Sequence, residues 1–314
     1  MNITKVELLW SRSCPYECLG CAMPTTKKTH NYFHQGTLED WRVGVENMAA
    51  LGSKFVAIYG AEPLTRQELL PEVITHIYNV GMKATVITAL PRHPFLIELL
   101  ERSPLDSVSC SYDFITSDPD RQKKSSHGWE FLLNHPNIKD RSVIATVTPE
   151  NIEHIPRMAQ EANDNGFWFL FDLIHGAHSL GSKCSGAPTS FPKEQVQNMA
   201  AQLLELKKAG KKIHASEQYL SFLAGVSTGV VRQMWHCGGY DVGWLTVNAD
   251  GRIFPCDDMQ IGYKRRIWDE LNRDELASWY KGTVADCEGC SWNTHFDACN
   301  ISSGLIEIGS YVHQ

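Results

Sequence analysis

Three cysteines near the start of the chain have the spacing of a metal-binding loop. Cys14, Cys18 and Cys21 follow the pattern C-x3-C-x2-C, so one loop presents three thiolates within eight residues. Thiolates are the usual protein ligands of iron–sulfur clusters, and three of them would leave the fourth iron of a cubane open for chemistry. A zinc site is the alternative, because structural zinc takes four ligands and His30 and His34 lie nearby.

A second group of cysteines lies in the last quarter of the chain. Cys237 and Cys256 bracket a predicted hairpin, in which two apolar runs flank the turn sequence Asn248-Ala249-Asp250-Gly251. Cys287 and Cys290 form a later C-x2-C pair. Two such pairs brought together make a four-thiolate site, which suits either an iron–sulfur cluster or a structural zinc ribbon.

The pattern of apolar and polar residues predicts the elements that would position these groups. Six apolar, β-branched runs are typical of strands, and helical periodicity recurs between them. Repeated strand–helix units imply parallel strands, and six units make a partial barrel rather than a closed barrel of eight. The predicted fold class is α/β, a partial (β/α)6 barrel with a small C-terminal extension of β-hairpin and helix. The predicted strands are Ile3–Trp10, Lys54–Tyr59, Lys83–Thr88, Asp106–Asp113, Ser142–Thr148 and Phe167–Ile174.

The cysteine loop follows the first predicted strand, at the strand end where barrel-like α/β folds place their chemistry. Thr37 is a plausible N-cap of the first helix, with Asp40 three residues further on. The predicted helices are Leu38–Leu51, Gln67–Val80, Phe95–Arg102, Trp129–Leu133, Ile152–Asn163, Pro192–Ala209 and Ser216–Leu223.

Polar residues follow or end several of these strands. Gly60-Ala61-Glu62-Pro63 follows the second strand, and Thr88 ends the third. Ser111 and Asp113 alternate with an aromatic residue at the end of the fourth strand, so they are predicted to share one strand face. From the residues alone, each of these stretches could also be an ordinary turn.

The order of strand, three cysteines, helix, strand and Gly60–Pro63 resembles the radical S-adenosylmethionine (radical SAM) superfamily. The resemblance implies that Cys14, Cys18 and Cys21 hold a [4Fe-4S] cluster whose open iron binds SAM. It further implies that an electron from the cluster cleaves SAM to a 5′-deoxyadenosyl radical, which abstracts hydrogen from a substrate.

The resemblance also implies a set of SAM contacts. The sequence at 60–63 resembles the family's GGEP motif, whose backbone and glutamate hold the SAM amino group, although Ala61 replaces a glycine and loses easy access to positive φ. Gly20 stands where the family usually has an aromatic residue, so packing against adenine is assigned to Tyr16. The cofactor-binding residues implied in this way are Tyr16, Gly60, Ala61, Glu62, Pro63, Thr88, Ser111 and Asp113.

The C-terminal cysteines resemble the SPASM/Twitch extensions of radical SAM enzymes, in the pattern C-x13-G-x4-C followed by C-x2-C. A full SPASM extension carries two auxiliary clusters and needs more cysteines than the five present here. The resemblance therefore implies one auxiliary [4Fe-4S] cluster, with Cys299 as a spare or alternative ligand. Its implied ligands are Cys237, Cys256, Cys287 and Cys290.

An aspartate directly follows one of these ligands. In the sulfatase-maturing members of the SPASM group, the aspartate at the position of Asp257 is the substrate base. A carboxylate beside an anionic cluster and away from water should have a raised pKa, which suits proton abstraction. Asp258 is the rival, and a surface turn formed by the two aspartates is the alternative.

Composition limits the partners and the location. The formal net charge of −7 gives no general attraction to nucleic acid. The basic runs Arg121–Lys124, Lys207–Lys212 and Lys264–Arg266 are interpreted as solvated faces. No secretory signal and no apolar stretch of membrane-spanning length is recognised, so we expect a cytoplasmic protein with no membrane partner and with cysteines that bind metal.

These observations predict an enzyme in three parts, at residues 1–185 (radical SAM partial barrel), 186–235 (connecting helices) and 236–314 (Twitch-like auxiliary domain). We expect oxidation or rearrangement of a small-molecule substrate, with an electron donor such as flavodoxin or ferredoxin. A nucleoside, nucleic-acid base or ribosomal peptide is the alternative substrate. A non-enzymatic zinc-binding interaction module is the alternative class, but it explains neither the 60–63 motif nor the repeated β/α pattern.

Overall fold

The computed structural model describes residues 3–11, 13–18, 21, 36–174, 191–225, 243–256, 261–285 and 296–297. Several residues singled out from the sequence lie outside these ranges. They are Gly20, His30, His34, Cys237, Asp257, Asp258, Cys287, Cys290 and Cys299.

Eight strands form one sheet in the described part of the chain. They are β1 (Lys5–Ser11), β2 (Phe55–Gly60), β3 (Lys83–Thr88), β4 (Ser107–Ser111), β5 (Asp140–Val147), β6 (Trp168–Leu173), β7 (Trp244–Asn248) and β8 (Ile253–Phe254). Their spatial order is β6-β5-β4-β3-β2-β1-β7-β8, and every neighbouring pair is parallel except β7 and β8. The sheet is not closed within the described residues. The predicted α/β class, with an open and mostly parallel sheet, is therefore confirmed.

Eight helices accompany the described strands. They are α1 (Leu38–Ala50), α2 (Leu70–Asn79), α3 (Pro94–Arg102), α4 (Pro119–Asn134), α5 (Ile155–Asp164), α6 (Lys193–Lys208), α7 (Glu217–Ala224) and α8 (Arg273–Val284). The predicted capping box of α1 is present, since Thr37 Oγ1 accepts from the Asp40 amide and Asp40 Oδ2 accepts from the Thr37 amide. None of the described helices is both long and apolar enough to cross a membrane.

Helix α4 begins much earlier than the predicted Trp129. The carboxylate of Asp118 accepts hydrogen bonds from the amides of Asp120 and Arg121, and Pro119 occupies the first helical position. The first turns of this helix are polar, so hydrophobic periodicity alone does not reveal them.

The predicted C-terminal hairpin is present, and it extends the main sheet. Strand β7 pairs in parallel with β1, in a register that runs from Lys5 opposite Trp244 to Leu9 opposite Asn248. This pairing satisfies the backbone groups on the edge of β1 that β2 leaves free.

The two faces of the sheet differ in polarity. Trp10 of β1 packs on Trp41 of α1, with ring centroids 5.3 Å apart, so this outer face is covered by helices. The opposite, inner face is mixed. One cavity of about 70 Å³ on this face is lined by polar side chains, among them Lys5 and Ser109, and by apolar ones, among them Phe55 and Leu170.

Candidate active site

The loop that carries the three N-terminal cysteines is tied to the loop after β2. Thr65 Oγ1 lies 2.8 Å from Ser11 Oγ and 2.7 Å from the carbonyl oxygen of Glu62. The Ser11 hydroxyl also accepts a hydrogen bond of 3.1 Å from the amide of Ser13, the residue before Cys14. The start of the cysteine loop and the Glu62 turn are thereby held as one unit.

Gly60 makes this close approach possible. Its φ is +149°, and a Cβ at this position would lie 2.2 Å from the carbonyl oxygen of Ser11. The next amide, of Ala61, donates to that same oxygen at 2.9 Å. Among the described residues Leu69 is the only non-glycine with a positive φ, so Ala61 lies outside that region and its departure from glycine causes no backbone strain.

The three cysteines are all half-buried. The amide of Cys21 donates to the carbonyl of Cys18 at 3.1 Å, which closes a turn between them. Burial raises the pKa of the Cys14 thiol to about 11, and a hydrogen bond from the Tyr16 backbone opposes that shift. Burial also raises the pKa of Cys18, while the positive charges of Lys124 and Arg121 lower it in part.

This loop fits a thiolate-held cluster. Negative charge on Cys18 and Cys21 would raise the pKa of Cys14, which shows that the three side chains lie close to one another. In the described residues, no three His, Cys, Asp or Glu side chains converge on one point as ligands of a single ion. A four-iron cluster does not require such convergence, because its cysteine ligands bind different irons.

The Glu62 carboxylate joins the ends of two strands. It is 1% exposed, and its Oε1 accepts from the Leu64 amide at 3.0 Å and from Thr88 Oγ1 at 2.8 Å. Its Oε2 accepts from the Ala89 amide at 2.6 Å. Burial raises the pKa of Glu62, and hydrogen bonds from the amides of Leu64, Ala89 and Leu90 and from the Thr88 hydroxyl oppose that shift.

Two predicted SAM contacts, Thr88 and Pro63, support this arrangement. Thr88 is 2% exposed, donates to Glu62, and accepts from the Leu90 amide at 2.9 Å, so in this structure it positions the carboxylate. Pro63 starts the short 3-10 turn Pro63–Thr65 that Glu62 caps. Tyr16 is 8% exposed, and burial raises the pKa of its phenol. Direct contact of these side chains with SAM stays a prediction.

Ser111 and Asp113 lie at the end of β4 and just beyond it. Strand β4 ends at Ser111, which is half-buried on the inner face of the sheet. Asp113 lies beyond the strand and is 1% exposed, and its Oδ1 accepts from the Thr146 amide at 2.7 Å. Its Oδ2 faces the cations of α4, and the shared strand face with Ser111 stays a prediction.

Helix α4 supplies two buried cations that the sequence analysis placed on a solvated face. Lys124 Nζ lies 3.5 Å and Arg121 Nη1 lies 3.8 Å from Asp113 Oδ2, and their side chains are only 14% and 7% exposed. The expectation of a solvated face is therefore wrong for these two residues. Their i, i+3 spacing puts them on one side of the helix, a signal that becomes visible once Asp118-Pro119 is recognised as the helix start.

The cations of α4 adjoin the cysteine loop. The amide of Glu17 donates to Asp120 Oδ2 at 2.8 Å, which ties the loop to the first turn of the helix. Burial alone would lower the pKa of Lys124, but the charges of Asp113 and Cys18 raise it above its ordinary value. Lys124 is therefore held protonated beside the cysteines.

Cys256, the one predicted auxiliary ligand among the described residues, lies toward the other end of the sheet. Strand β8 is antiparallel to β7, with Phe254 opposite Thr246, and continuing that register places Cys256 near Trp244 and Lys5. Lys5 and Ser11 lie at opposite ends of β1, about 20 Å apart at ~3.3 Å per residue. The inner face of the sheet thus lies between the two predicted cluster positions.

Together, the open parallel sheet and the loop of three cysteines at the end of β1 define an α/β barrel-type protein with a candidate thiolate site. Residues 8–162 match the family model described as the radical SAM superfamily. This part of the chain is therefore a radical SAM domain, and a domain of this superfamily implies an enzyme that uses SAM and a [4Fe-4S] cluster.

Solved structures share the fold over most of the chain. SuiB from Streptococcus suis bound to precursor peptide SuiA has a TM-score of 0.63 at 15% identity, covering 91% of this chain and 67% of that one. SuiB bound to S-adenosylmethionine has a TM-score of 0.59 at 15% identity, with coverages of 90% and 65%. Histidine-tagged anSMEcpe with bound AdoMet has a TM-score of 0.59 at 13% identity, with both chains fully covered. At these identities the similarity establishes the fold alone, and this chain spans about two thirds of the length of SuiB.

Proposed function

We propose that this protein is a radical SAM enzyme that abstracts hydrogen from a small polar molecule held on the inner face of its sheet. A cluster and SAM bound at this site supply reductive cleavage of SAM to a 5′-deoxyadenosyl radical, the species that removes the hydrogen atom. The observation that carries the proposal is the fixed link between the Cys14 loop and the Glu62 turn, made through Ser11 and Thr65.

The charges around the loop suit the methionine part of SAM. That part carries an ammonium and a carboxylate. Glu62 offers the ammonium a carboxylate that the ends of β2 and β3 hold in place. Lys124 and Arg121, on the α4 side of the same loop, suit the carboxylate. In this proposal Cys14, Cys18 and Cys21 hold the cluster, while Glu62 and Lys124 orient the zwitterion.

The proposal extends to the C-terminal cysteines. We assign Cys237, Cys256, Cys287 and Cys290 as ligands of one auxiliary [4Fe-4S] cluster, and the position of Cys256 beyond β8 supports this assignment. With that cluster as electron acceptor the net reaction would be a two-electron oxidation. Asp257, next to Cys256, is proposed as the base that takes the substrate proton, and a flavodoxin or ferredoxin as the electron donor.

The experiment that tests the proposal is detection of 5′-deoxyadenosine after anaerobic reconstitution, reduction with dithionite and addition of SAM. Wild-type protein should form it, and the Cys14→Ala/Cys18→Ala/Cys21→Ala variant should form none above the background. Cys110→Ala is the matched control, because Cys110 is a fully buried thiol on β4, and it should retain the activity. A cluster-loaded wild-type protein that leaves SAM intact would reject the proposed function.

A further inference from the structure

One face of helix α4 lies against the cysteine loop. The amide of Glu17, the residue before Cys18, donates to Asp120 Oδ2 at 2.8 Å. Lys124 follows Asp120 by four residues, so the two side chains share this face of the helix. Cys18 therefore lies beside the side of α4 that presents Lys124.

The ammonium of Lys124 is held in place and shielded from water. Its side chain is only 14% exposed, and its Nζ lies 3.5 Å from Oδ2 of the buried Asp113. Arg121 Nη1 lies 3.8 Å from the same oxygen, on a side chain that is 7% exposed. Water and salt screen buried charges less than surface charges, so these two cations act strongly on their neighbours.

The carboxylates of this region do not cancel the two cations at the sulfur of Cys18. Asp113 and Asp118 both lie within 4 Å of Arg121. The positive charges of Lys124 and Arg121 nevertheless each lower the pKa of Cys18 by more than the negative charge of Asp118 raises it. Among the charges of α4, the two cations therefore have the largest effect on Cys18.

This arrangement bears on the reduction of a cluster at these cysteines. Reduction adds one negative charge to a site that already carries three thiolates. The reduction potential of an iron–sulfur cluster depends on the net charge around it, and a nearby buried cation stabilises the reduced form. A nearby carboxylate has the opposite effect.

We propose that Lys124, together with Arg121, raises the reduction potential of the cluster held by Cys14, Cys18 and Cys21, and that Asp113 opposes this effect. The inference rests on the proposed function, which places a cluster at these cysteines. Lys124 acts here as a positioning residue, because its charge acts through the cysteine sulfurs. This role is separate from binding of SAM, since it affects the cluster before SAM is present.

The test is a redox titration of the reconstituted protein without SAM, followed by electron paramagnetic resonance (EPR). The signal of interest is the one that the Cys14→Ala/Cys18→Ala/Cys21→Ala variant lacks. In Lys124→Met, the equilibrium constant for reduction should fall on the order of tenfold, which is a midpoint about 59 mV more negative for one electron. Lys124→Arg keeps the charge and should restore the wild-type midpoint.

Asp113→Asn provides a test of opposite sign. The variant removes the opposing carboxylate and keeps Oδ1, which accepts from the Thr146 amide. Its midpoint should be less negative than that of the wild type. A purely structural role of the ion cluster gives no reason for the two variants to shift in opposite directions.

Lys123→Met is the matched control. Lys123 is the exposed neighbour on the same helix, so the variant removes the same net charge and should leave the midpoint unchanged. If Lys124→Met does not assemble the cluster, Arg121→Met replaces it and should also have a more negative midpoint. A shift in Lys123→Met equal to that in Lys124→Met, no shift in either, or shifts of the same sign in Lys124→Met and Asp113→Asn would overturn the inference.

Failure of this inference and failure of the proposed function give different results. If the midpoints shift as expected but wild-type protein forms no 5′-deoxyadenosine, the electrostatic role stands and the radical reaction does not. If 5′-deoxyadenosine forms and the midpoints do not shift, the reaction stands and the inference falls. A wild-type protein without any EPR signal that depends on the three cysteines would overturn both.

Discussion

The carboxylate of Glu62 shows what the sequence could and could not predict about single residues. The motif at 60–63 indicated an acidic residue at the end of the second strand, and the structure places it there, 1% exposed. Its bonds to Thr88 and Ala89 depend on the parallel pairing of β2 with β3, which brings residues 26 and 27 positions apart into contact. Such long-range partners cannot be predicted from local sequence pattern.

The contact of Lys124 with Asp113 could likewise not be predicted from local sequence pattern, and it suggests a role for Lys124 in SAM binding. Replacing Lys124 with Met keeps the aliphatic stem and removes the ammonium that faces Asp113 and the cysteine loop. We expect the dissociation constant for SAM to rise on the order of tenfold, as for loss of one charge-assisted hydrogen bond. Equilibrium dialysis of SAM against the reconstituted protein would measure this change.

Lys123→Met is the matched control. Lys123 is the exposed neighbour on the same helix, so the variant removes the same net charge from the protein without changing the cysteine neighbourhood. If the two variants weaken SAM binding equally, a general charge effect explains the loss and Lys124 has no specific role.

At the scale of elements, the junction of β1 with β2 depends on Gly60. A methyl group there would meet the Ser11 carbonyl at 2.2 Å, and φ of +149° is strained for any L-residue. We expect Gly60→Ala to destabilise the protein by about 2–3 kcal/mol or more and to lower its iron content, because the shift of Ser11 moves the start of the cysteine loop. Thermal midpoints and iron analysis of reconstituted protein would show both effects.

Gly81→Ala is the matched control, because it tests the effect of the positive φ angle without the close approach to a neighbouring carbonyl. Gly81 has φ of +80°, but a Cβ there would meet no described atom within 4 Å. This substitution should lower the free energy of unfolding by about 1–2 kcal/mol, the cost of a left-handed backbone conformation, and leave the iron content unchanged. Equal losses in the two variants, with iron retained in both, would show that the approach of β2 to the cysteine loop does not matter.

The elements themselves were predicted to different degrees. All six barrel strands were found within two residues of their bounds, because β-branched runs between turn residues are a strong local signal. The start of α4 was missed and the helix of the C-terminal extension, α8, was given no bounds, since both open with polar residues and owe their starts to caps at Asp118 and Asn272. The parallel pairing of β7 with β1 joins residues more than 230 positions apart, so no local pattern could have predicted it.

Across the whole molecule, the sheet separates the predicted cluster positions. The loop of Cys14, Cys18 and Cys21 follows β1 at one end, and Cys256 follows β8 toward the other. The inner face between them contains the cavity lined by Lys5 and Ser109 and the side chains of Thr246 and Asn248. We propose that one substrate lies on this face between two clusters, which is the central claim of our account.

The most direct test of that claim is the iron and sulfide content of anaerobically reconstituted protein, wild type and Cys14→Ala/Cys18→Ala/Cys21→Ala. Our account predicts about eight irons per chain in the wild type and about four in the variant, because each site holds a four-iron cluster. About four irons with about one zinc would make the C-terminal site structural and remove the electron acceptor. Zinc alone, with no iron after reconstitution, would contradict the radical mechanism altogether.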